Sequence, residues 1–168
     1  ITTGFAGAGA FSDGKLSLSP DVGGNLPEIL GYDRAAALIH ESDEIYLKFG
    51  ADTNVYGVDK QAEIEEIRRK AITANLKLIE CPIRHLGTEE GYKIYTRLQK
   101  HLESAGIQMQ FNTMVKDLII QDGAVKGVVT DKDETYFAPE VVAAIGREGS
   151  DWFSHICTDH GIETRVGT

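Results

Sequence analysis

The sequence predicts an α+β fold, that is, a mixed α/β chain in which a helical part precedes a β-meander. Apolar residues recur every three or four positions over residues 33–50 and 59–74, as they do on one face of a helix. Short alternating runs of apolar and polar residues then fill residues 107–138, and the turn sequences "QDG" and "DKD" divide them. This order predicts a mixed sheet beside a helical segment.

Helical periodicity predicts four helices, over residues 33–50, 59–74, 89–104 and 150–160. The second is expected to begin at Asp59, which caps it, and the third is expected to take Thr88 as its N-cap and to stop at Gly106. The buried face of the second helix is predicted to consist of Ile64, Ile67, Ala71 and Ala74.

Strands are expected on both sides of the third helix. The meander is predicted from "IQMQFNT", "VKDLIIQ", "AVKGVVT" and "ETYFA", which together span residues 107–138. The apolar run over residues 140–146 predicts a strand covered on both faces, and residues 77–83 predict another that ends at Pro82. Residues 1–31 are dense in Gly, Ser, Pro and Asn, which predicts a long loop.

The composition excludes several classes of function. With 17 basic and 26 acidic side chains the net charge is −9, and no basic stripe indicates binding to nucleic acid or to an anionic membrane. No apolar run approaches the ~20 residues of a transmembrane helix. Cys81 and Cys157 lie far apart, which favours reduced thiols in a cytoplasm over a zinc site or a disulfide framework.

The segment "GAFSDGKL", residues 9–16, nearly matches a triphosphate-binding loop. Gly9, Gly14 and Lys15 fit the G-x-x-x-x-G-K-[ST] pattern. Leu16 lacks the hydroxyl that holds magnesium, Asp13 brings a negative charge into the cradle, and no helix is expected after the lysine. We therefore do not expect ATP or GTP here.

The same glycines fail the dinucleotide fingerprint, because Ser12 stands where a third Gly or Ala belongs after Gly7 and Gly9. Two interpretations stay open. The glycines permit tight turns in a mobile loop, or they let the backbone approach a flat or anionic ligand closely.

Two further residues are candidates for chemistry. His85, just before the third helix, could move a proton near a ligand, although a turn and helix cap is the favoured interpretation. Arg147 follows the predicted buried strand, so it binds an anionic substrate or forms a surface ion pair. No metal is expected, since His155 and His160 lack the spacing of a zinc site.

The segment "GFAGAGAFSDGKLSLSPDVGGNL", residues 4–26, resembles a signature of the uncharacterised FAD-dependent dehydrogenases, also described as NAD(FAD)-utilizing dehydrogenases. "LKFGAD" (47–52) and "RHLGTE" (84–89) agree with it. Residues 112–146 resemble the meander and buried strand of flavoproteins with two dinucleotide folds. The resemblance spans essentially the whole chain.

The resemblance implies a flavin-binding Rossmann-type fold with an inserted substrate domain, and hydride transfer through FAD on an unknown small molecule. The use of NAD(P) as a further cofactor is left open. It implies that Val115 offers backbone groups to the adenine and that Ala144 and Gly146 form a turn beside the cofactor. The loop residues implied to lie along the flavin are Gly7, Ala8, Gly9, Ser12, Asp13, Gly14 and Lys15.

The chain is expected to be a single excised domain, because it begins at Ile1 and lacks the N-terminal G-x-G-x-x-G of the complete pattern. FAD and activity are accordingly expected in the full-length protein rather than in this piece alone. The alternative is a non-catalytic ligand-binding or protein-interaction domain with a degraded flavin loop. The expected parts are residues 1–31 (flavin-proximal loop), 32–111 (helical insert), 112–146 (meander and buried strand) and 147–168 (helix and strand start).

Overall fold

The computed structural model describes residues 4–164. Helices take up 41% and strands 15% of the described residues, which confirms the predicted α+β class. The chain divides into two compact units. One consists mainly of Ala6–Ile107 and the other mainly of Gln108–Thr168. The predicted border between the helical insert and the meander, between residues 111 and 112, lies four residues beyond this division. That the chain is a single domain excised from a longer protein stays a prediction.

The first unit is mostly helical and contains one small sheet. Its described part of residues 1–31 is not the long loop that the sequence predicted, because it carries three short regular elements. In chain order the unit contains a 3₁₀ helix (Gly7–Phe11), β1 (Lys15–Ser17), α1 (Leu26–Leu30), α2 (Tyr32–Lys48), α3 (Gln61–Thr73), β2 (Ile83–His85) and α4 (Thr88–Ser104).

The ends of α4 follow from glycines on either side. Gly87 is the N-cap with a φ of +73°, and Thr88 is the first helical residue, so the predicted cap at Thr88 is wrong by one position. The predicted stop is confirmed: Gly106 has a φ of +82°, and the Ile107 amide donates to the carbonyl of Leu102. A β-carbon would disfavour both backbone conformations.

Helix α3 departs from its prediction in start and in burial. It begins at Gln61 after Lys60, so Asp59 is not its cap. Of the predicted buried face, Ile64 and Ala71 are half-buried, whereas Ile67 is 53% exposed and Ala74 is also exposed, so the prediction is wrong at these last two positions. Helical spacing decides which side chains share a face, but it does not supply a neighbour that covers the face.

The strand predicted over residues 77–83 is wrong except at its last residue, where β2 begins. Pro82 has no N–H to donate, so its carbonyl alone joins the ladder, accepting from the Leu18 amide at 2.8 Å. Antiparallel pairing with β1 then places Lys15 opposite His85 and Leu16 opposite Arg84.

The core of this unit lies where the small sheet meets α2 and α4. Leu86 and Ile94 are buried there with Ala51. Half-buried side chains from β1 and from the C-terminal end of α2 pack against this cluster, namely Leu16, Tyr46, Leu47 and Phe49. The core therefore ties the segment after the 3₁₀ helix to both long helices.

The second unit contains the meander and α5 (Ser150–Asp159). Strands β3 (Val115–Gln121) and β4 (Ala124–Thr130) occupy the predicted residues, and β5 (Thr135–Phe137) is slightly shorter than predicted. Asp122 and Gly123 join the first two strands with φ values of +52° and +73°, the left-handed pair that a tight hairpin requires.

Two strands predicted in this unit do not form. Residues 107–113 and 140–146 have no regular structure, and Val142 is 87% exposed. A strand needs at least one neighbouring strand to pair its backbone groups, and within residues 4–164 no strand pairs with residues 140–146. Helix α5 forms nearly as predicted, with Ile156 and Cys157 buried. Within the described residues, no helix is long and apolar enough to cross a membrane.

The β4–β5 pairing depends on Gly127. A β-carbon there would lie 2.1 Å from the carbonyl oxygen of Tyr136, which is backbone of β5 and cannot move aside. We expect Gly127→Ala to lower the free energy of unfolding by about 1–3 kcal/mol, as overpacking does. The measurement is denaturant unfolding followed by circular dichroism.

Gly91→Ala is the matched control, because Gly91 lies inside α4 and its β-carbon would meet nothing within 4 Å. We expect this control to leave the free energy of unfolding equal or slightly higher. Equal stability of Gly127→Ala and the parent would contradict the role given to Gly127.

Candidate functional site

The polar side chains of Ser12, Asp13 and Lys15 find partners within the loop over residues 7–15. The Ser12 hydroxyl accepts from the Gly14 amide at 3.1 Å and donates to the Gly9 carbonyl at 3.4 Å. The Asp13 carboxylate lies 3.2 Å from Lys15 Nζ, and both side chains are mostly exposed. A hydroxyl and a cation that could bind an anion are thus already paired within the loop.

The loop glycines allow close approach to the protein's own side chains. A β-carbon on Gly9 would lie 3.3 Å from the Tyr95 hydroxyl, and one on Gly14 would lie 3.0 Å from Leu86 Cβ. Gly14 also has a φ of +61°, where a larger residue is strained. Packing of the loop against α4 and β2 therefore explains these two glycines before any ligand is considered.

The structure brings the loop together with the segment "RHLGTE". The Leu86 amide donates to the Gly14 carbonyl at 2.9 Å, and the Gly87 amide donates to the Asp13 carbonyl at 3.0 Å. His85 lies directly opposite Lys15 at the end of β2, and its exposed ring packs edge-on against Tyr56 with centroids 6.4 Å apart. The two segments that resemble the dehydrogenase signature, residues 4–26 and 84–89, thus meet and form one surface.

A buried ion pair underlies this surface, and sequence reasoning missed it. Arg84, 4% exposed, donates from Nε and Nη2 to the two carboxylate oxygens of Asp43 at 2.5 and 2.7 Å. Its Nη1 donates to the carbonyls of Asp52 and Asn54 at 2.6 and 3.3 Å. The hydrogen bonds to Asp43 raise the pKa of Arg84, so the guanidinium stays charged.

A sequence signal for this pair did exist. Asp43 falls at the same helical position as Ala35 and Ile39, four residues apart along α2, and so continues an inward stripe. An acidic residue on such a stripe needs a buried partner. The partner was not identifiable, because Arg84 lies 41 positions away.

A groove of about 250 Å³ lies between β1 and α2. Four consecutive residues of the strand side line it, whereas one face of a strand would contribute every second residue. The groove is therefore bounded by an edge of β1. Its lining residues are Lys15, Leu16, Ser17, Leu18, Leu38, Ile39, Ser42, Asp43 and Tyr46.

Two tyrosines connect the groove to the loop. Tyr46, which lines the groove, packs edge-on against Tyr95 with ring centroids 6.1 Å apart and hydroxyls 3.4 Å apart. Burial, helped by the Tyr46 hydroxyl, raises the pKa of Tyr95 to about 12. Its phenol is thus neutral at ordinary pH beneath the Gly9 backbone.

The remaining predicted site residues lie in the second unit. Val115 is the first residue of β3, opposite Thr130. Ala144 and Arg147 are exposed, and Gly146 has a φ of +61° that suits the predicted turn. The part of each of these residues in cofactor or substrate binding stays a prediction, as it does for the loop and for His85.

A model of the family described as pyridine nucleotide-disulphide oxidoreductase matches residues 48–167. The match covers more than two thirds of the chain, including "RHLGTE", α4, the meander and α5. The loop, β1 and nearly all of α2 precede it. No curated protein matches the chain.

Loss of the Asp43 carboxylate would leave the Arg84 charge buried without its partner. We expect Asp43→Ala to lower the free energy of unfolding by about 3–5 kcal/mol, the usual effect of breaking a buried pair. Denaturant unfolding measures the change.

Glu41→Ala is the control on the same helix, because Glu41 makes only an exposed contact, 4.0 Å from Arg34. Its expected effect is below about 1 kcal/mol. Similar losses for the two variants would contradict a special role for the buried pair.

Proposed function

The chain belongs to the pyridine nucleotide-disulphide oxidoreductase family, and from that premise we propose that it is part of an FAD-dependent dehydrogenase. The observation that carries the proposal is the family match over residues 48–167, which supports a flavin-dependent oxidoreductase kind of function. The family binds FAD and NAD(P) in general. The resemblance of residues 4–26 to FAD-dependent dehydrogenases supplies the finer assignment.

The loop fits the ring system of a flavin better than its diphosphate. Asp13 holds a carboxylate 3.2 Å from Lys15 Nζ, so a diphosphate would meet a negative charge at the only cation within residues 7–15. Ala8 and Gly9 are exposed and carry a methyl group and no side chain, respectively, so a flat ring can approach the backbone there closely. FAD, when bound, would supply the hydride chemistry.

In this proposal the chain's own residues position and shield the ring. The side chains of Tyr95 and Leu86 pack against the backbone at Gly9 and Gly14, which fixes the position of the loop relative to α4 and β2. His85 lies opposite Lys15 and is exposed, which supports a role in holding or moving a proton beside the loop. The substrate is a small molecule whose identity the proposal leaves open.

The test is flavin retention by the full-length protein that contains this chain. After incubation with FAD and removal of free cofactor, we expect a flavin absorbance band. Gly9→Val should reduce the occupancy about tenfold or more, because its side chain blocks the loop backbone. Ala62→Val, exposed on α3, is the control that should retain FAD. A colourless protein after FAD addition would overturn the proposal.

Gly9→Val also crowds the Tyr95 hydroxyl, so a second variant separates the two effects. Tyr95→Phe removes that hydroxyl and gives the new side chain room. If Gly9→Val/Tyr95→Phe still loses FAD, the side chain obstructs the cofactor itself. Full recovery of FAD in the double variant would mean that the loop glycine serves internal packing alone, contrary to the proposal.

A non-catalytic interaction domain is the second candidate, and exposed apolar side chains favour it. On the short helix α1, Leu26, Ile29 and Leu30 are 40%, 76% and 42% exposed. Large exposed apolar surfaces often mark interaction sites. A full-length protein that never binds FAD but associates with a partner protein would support this candidate over the dehydrogenase.

A further inference from the structure

The edge of β1 away from β2 borders the groove, and within residues 4–164 no strand pairs with this edge. The Gly14 carbonyl and the Leu18 amide both bond to the β2 side. Because the hydrogen bonds of an antiparallel strand alternate, the N–H and C=O groups of Lys15 and Ser17 point away from β2. The backbone of Ile83, opposite Ser17, bonds instead to Tyr56, as this alternation requires.

The opposite wall of the groove is apolar and belongs to α2. Leu38 and Ile39 form it together with the ring of Tyr46. The polar lining groups on the helix are already occupied, since Ser42 donates to the Leu38 carbonyl and Asp43 binds Arg84. The strand edge can therefore offer a ligand a backbone donor beside an acceptor, and the helix offers the flat apolar contact.

The N–H and C=O of one extended residue lie side by side, as a donor next to an acceptor. A cis-amide carries the complementary pair in the same arrangement. The groove's volume of about 250 Å³ falls below the roughly 300–1,000 Å³ typical of drug-sized sites, which favours a single small ring. An added peptide strand is disfavoured, because β1 has three residues and only Lys15 and Ser17 direct backbone groups away from β2.

We propose that the groove between the free edge of β1 and α2 binds a small planar ring with a cis-amide edge, of the cyclic amide or imide class. The edge bonds to the backbone of Lys15 or Ser17, and the ring faces lie against the apolar wall of α2. The inference goes beyond the dehydrogenase proposal and does not depend on it, because it needs the groove alone.

Uracil is a suitable probe, since it has cis-amide edges on a single ring. In the ¹⁵N-labelled chain, we expect millimolar uracil to shift the amide resonances of Lys15 and Ser17 saturably. In 1,3-dimethyluracil methyl groups replace both N–H donors, so its binding should be about tenfold weaker or absent. Equal binding of the two compounds, or no saturable shift with uracil, would overturn the proposal.

Two variants test the two walls separately. Ser17→Pro removes one N–H from the free edge without touching the bonds to β2, and should weaken uracil binding about tenfold. Ile39→Trp fills the groove from α2 and should abolish binding even if the proline variant fails to fold. Ile29→Trp, on exposed α1, is the matched control with parental affinity. Parental affinity in Ile39→Trp would exclude the groove as the binding site.

The same ring chemistry could come from the flavin or from a separate small molecule, and addition of FAD distinguishes them. If bound FAD displaces uracil, the groove holds the pyrimidine edge of the flavin. If uracil still binds to the FAD-loaded protein, the groove serves a separate cyclic amide or imide. A protein that binds uracil but not FAD would count against the dehydrogenase proposal and leave this one intact.

Discussion

The bidentate ion pair between Arg84 and Asp43 is the constraint on which the arrangement of the first unit depends. Removing two charges from water costs several kcal/mol each, and only good geometry with further hydrogen bonds compensates for this. Here two bonds to the carboxylate and two to the carbonyls of Asp52 and Asn54 occupy the guanidinium. Strand β2 is thereby fixed to α2 and to the chain that follows it.

The candidate site is a consequence of that attachment. Because β1 pairs with β2, the ion pair also sets the distance from the edge of β1 to α2, and hence the groove. The loop is attached to the end of β2 by two backbone hydrogen bonds, because the amides of Leu86 and Gly87 donate to the carbonyls of Gly14 and Asp13, respectively. The ion pair, together with the apolar core of Ala51, Leu86 and Ile94, therefore holds the loop, the groove and His85 in one arrangement.

Sequence reasoning succeeded where the signal is local. The "QDG" turn and the stop at Gly106 need left-handed backbone that their own residues provide, and the alternation of residues 115–121 and 124–130 defines two paired strands. It failed where the outcome depends on distant neighbours. An apolar run over residues 140–146 is a strand only if other strands flank it, and the partner of Asp43 lies 41 positions away.

Hydrogen exchange of the Leu86 and Leu18 amides, which donate across the β1–β2 segment, tests the central role of the ion pair most directly. The comparison is between the parent chain and Arg84→Met, with amides inside α4 as the internal reference. If Arg84 anchors the sheet to α2, these two amides exchange much faster in the variant, and more so than the α4 amides. Unchanged protection of Leu86 and Leu18 would contradict the account.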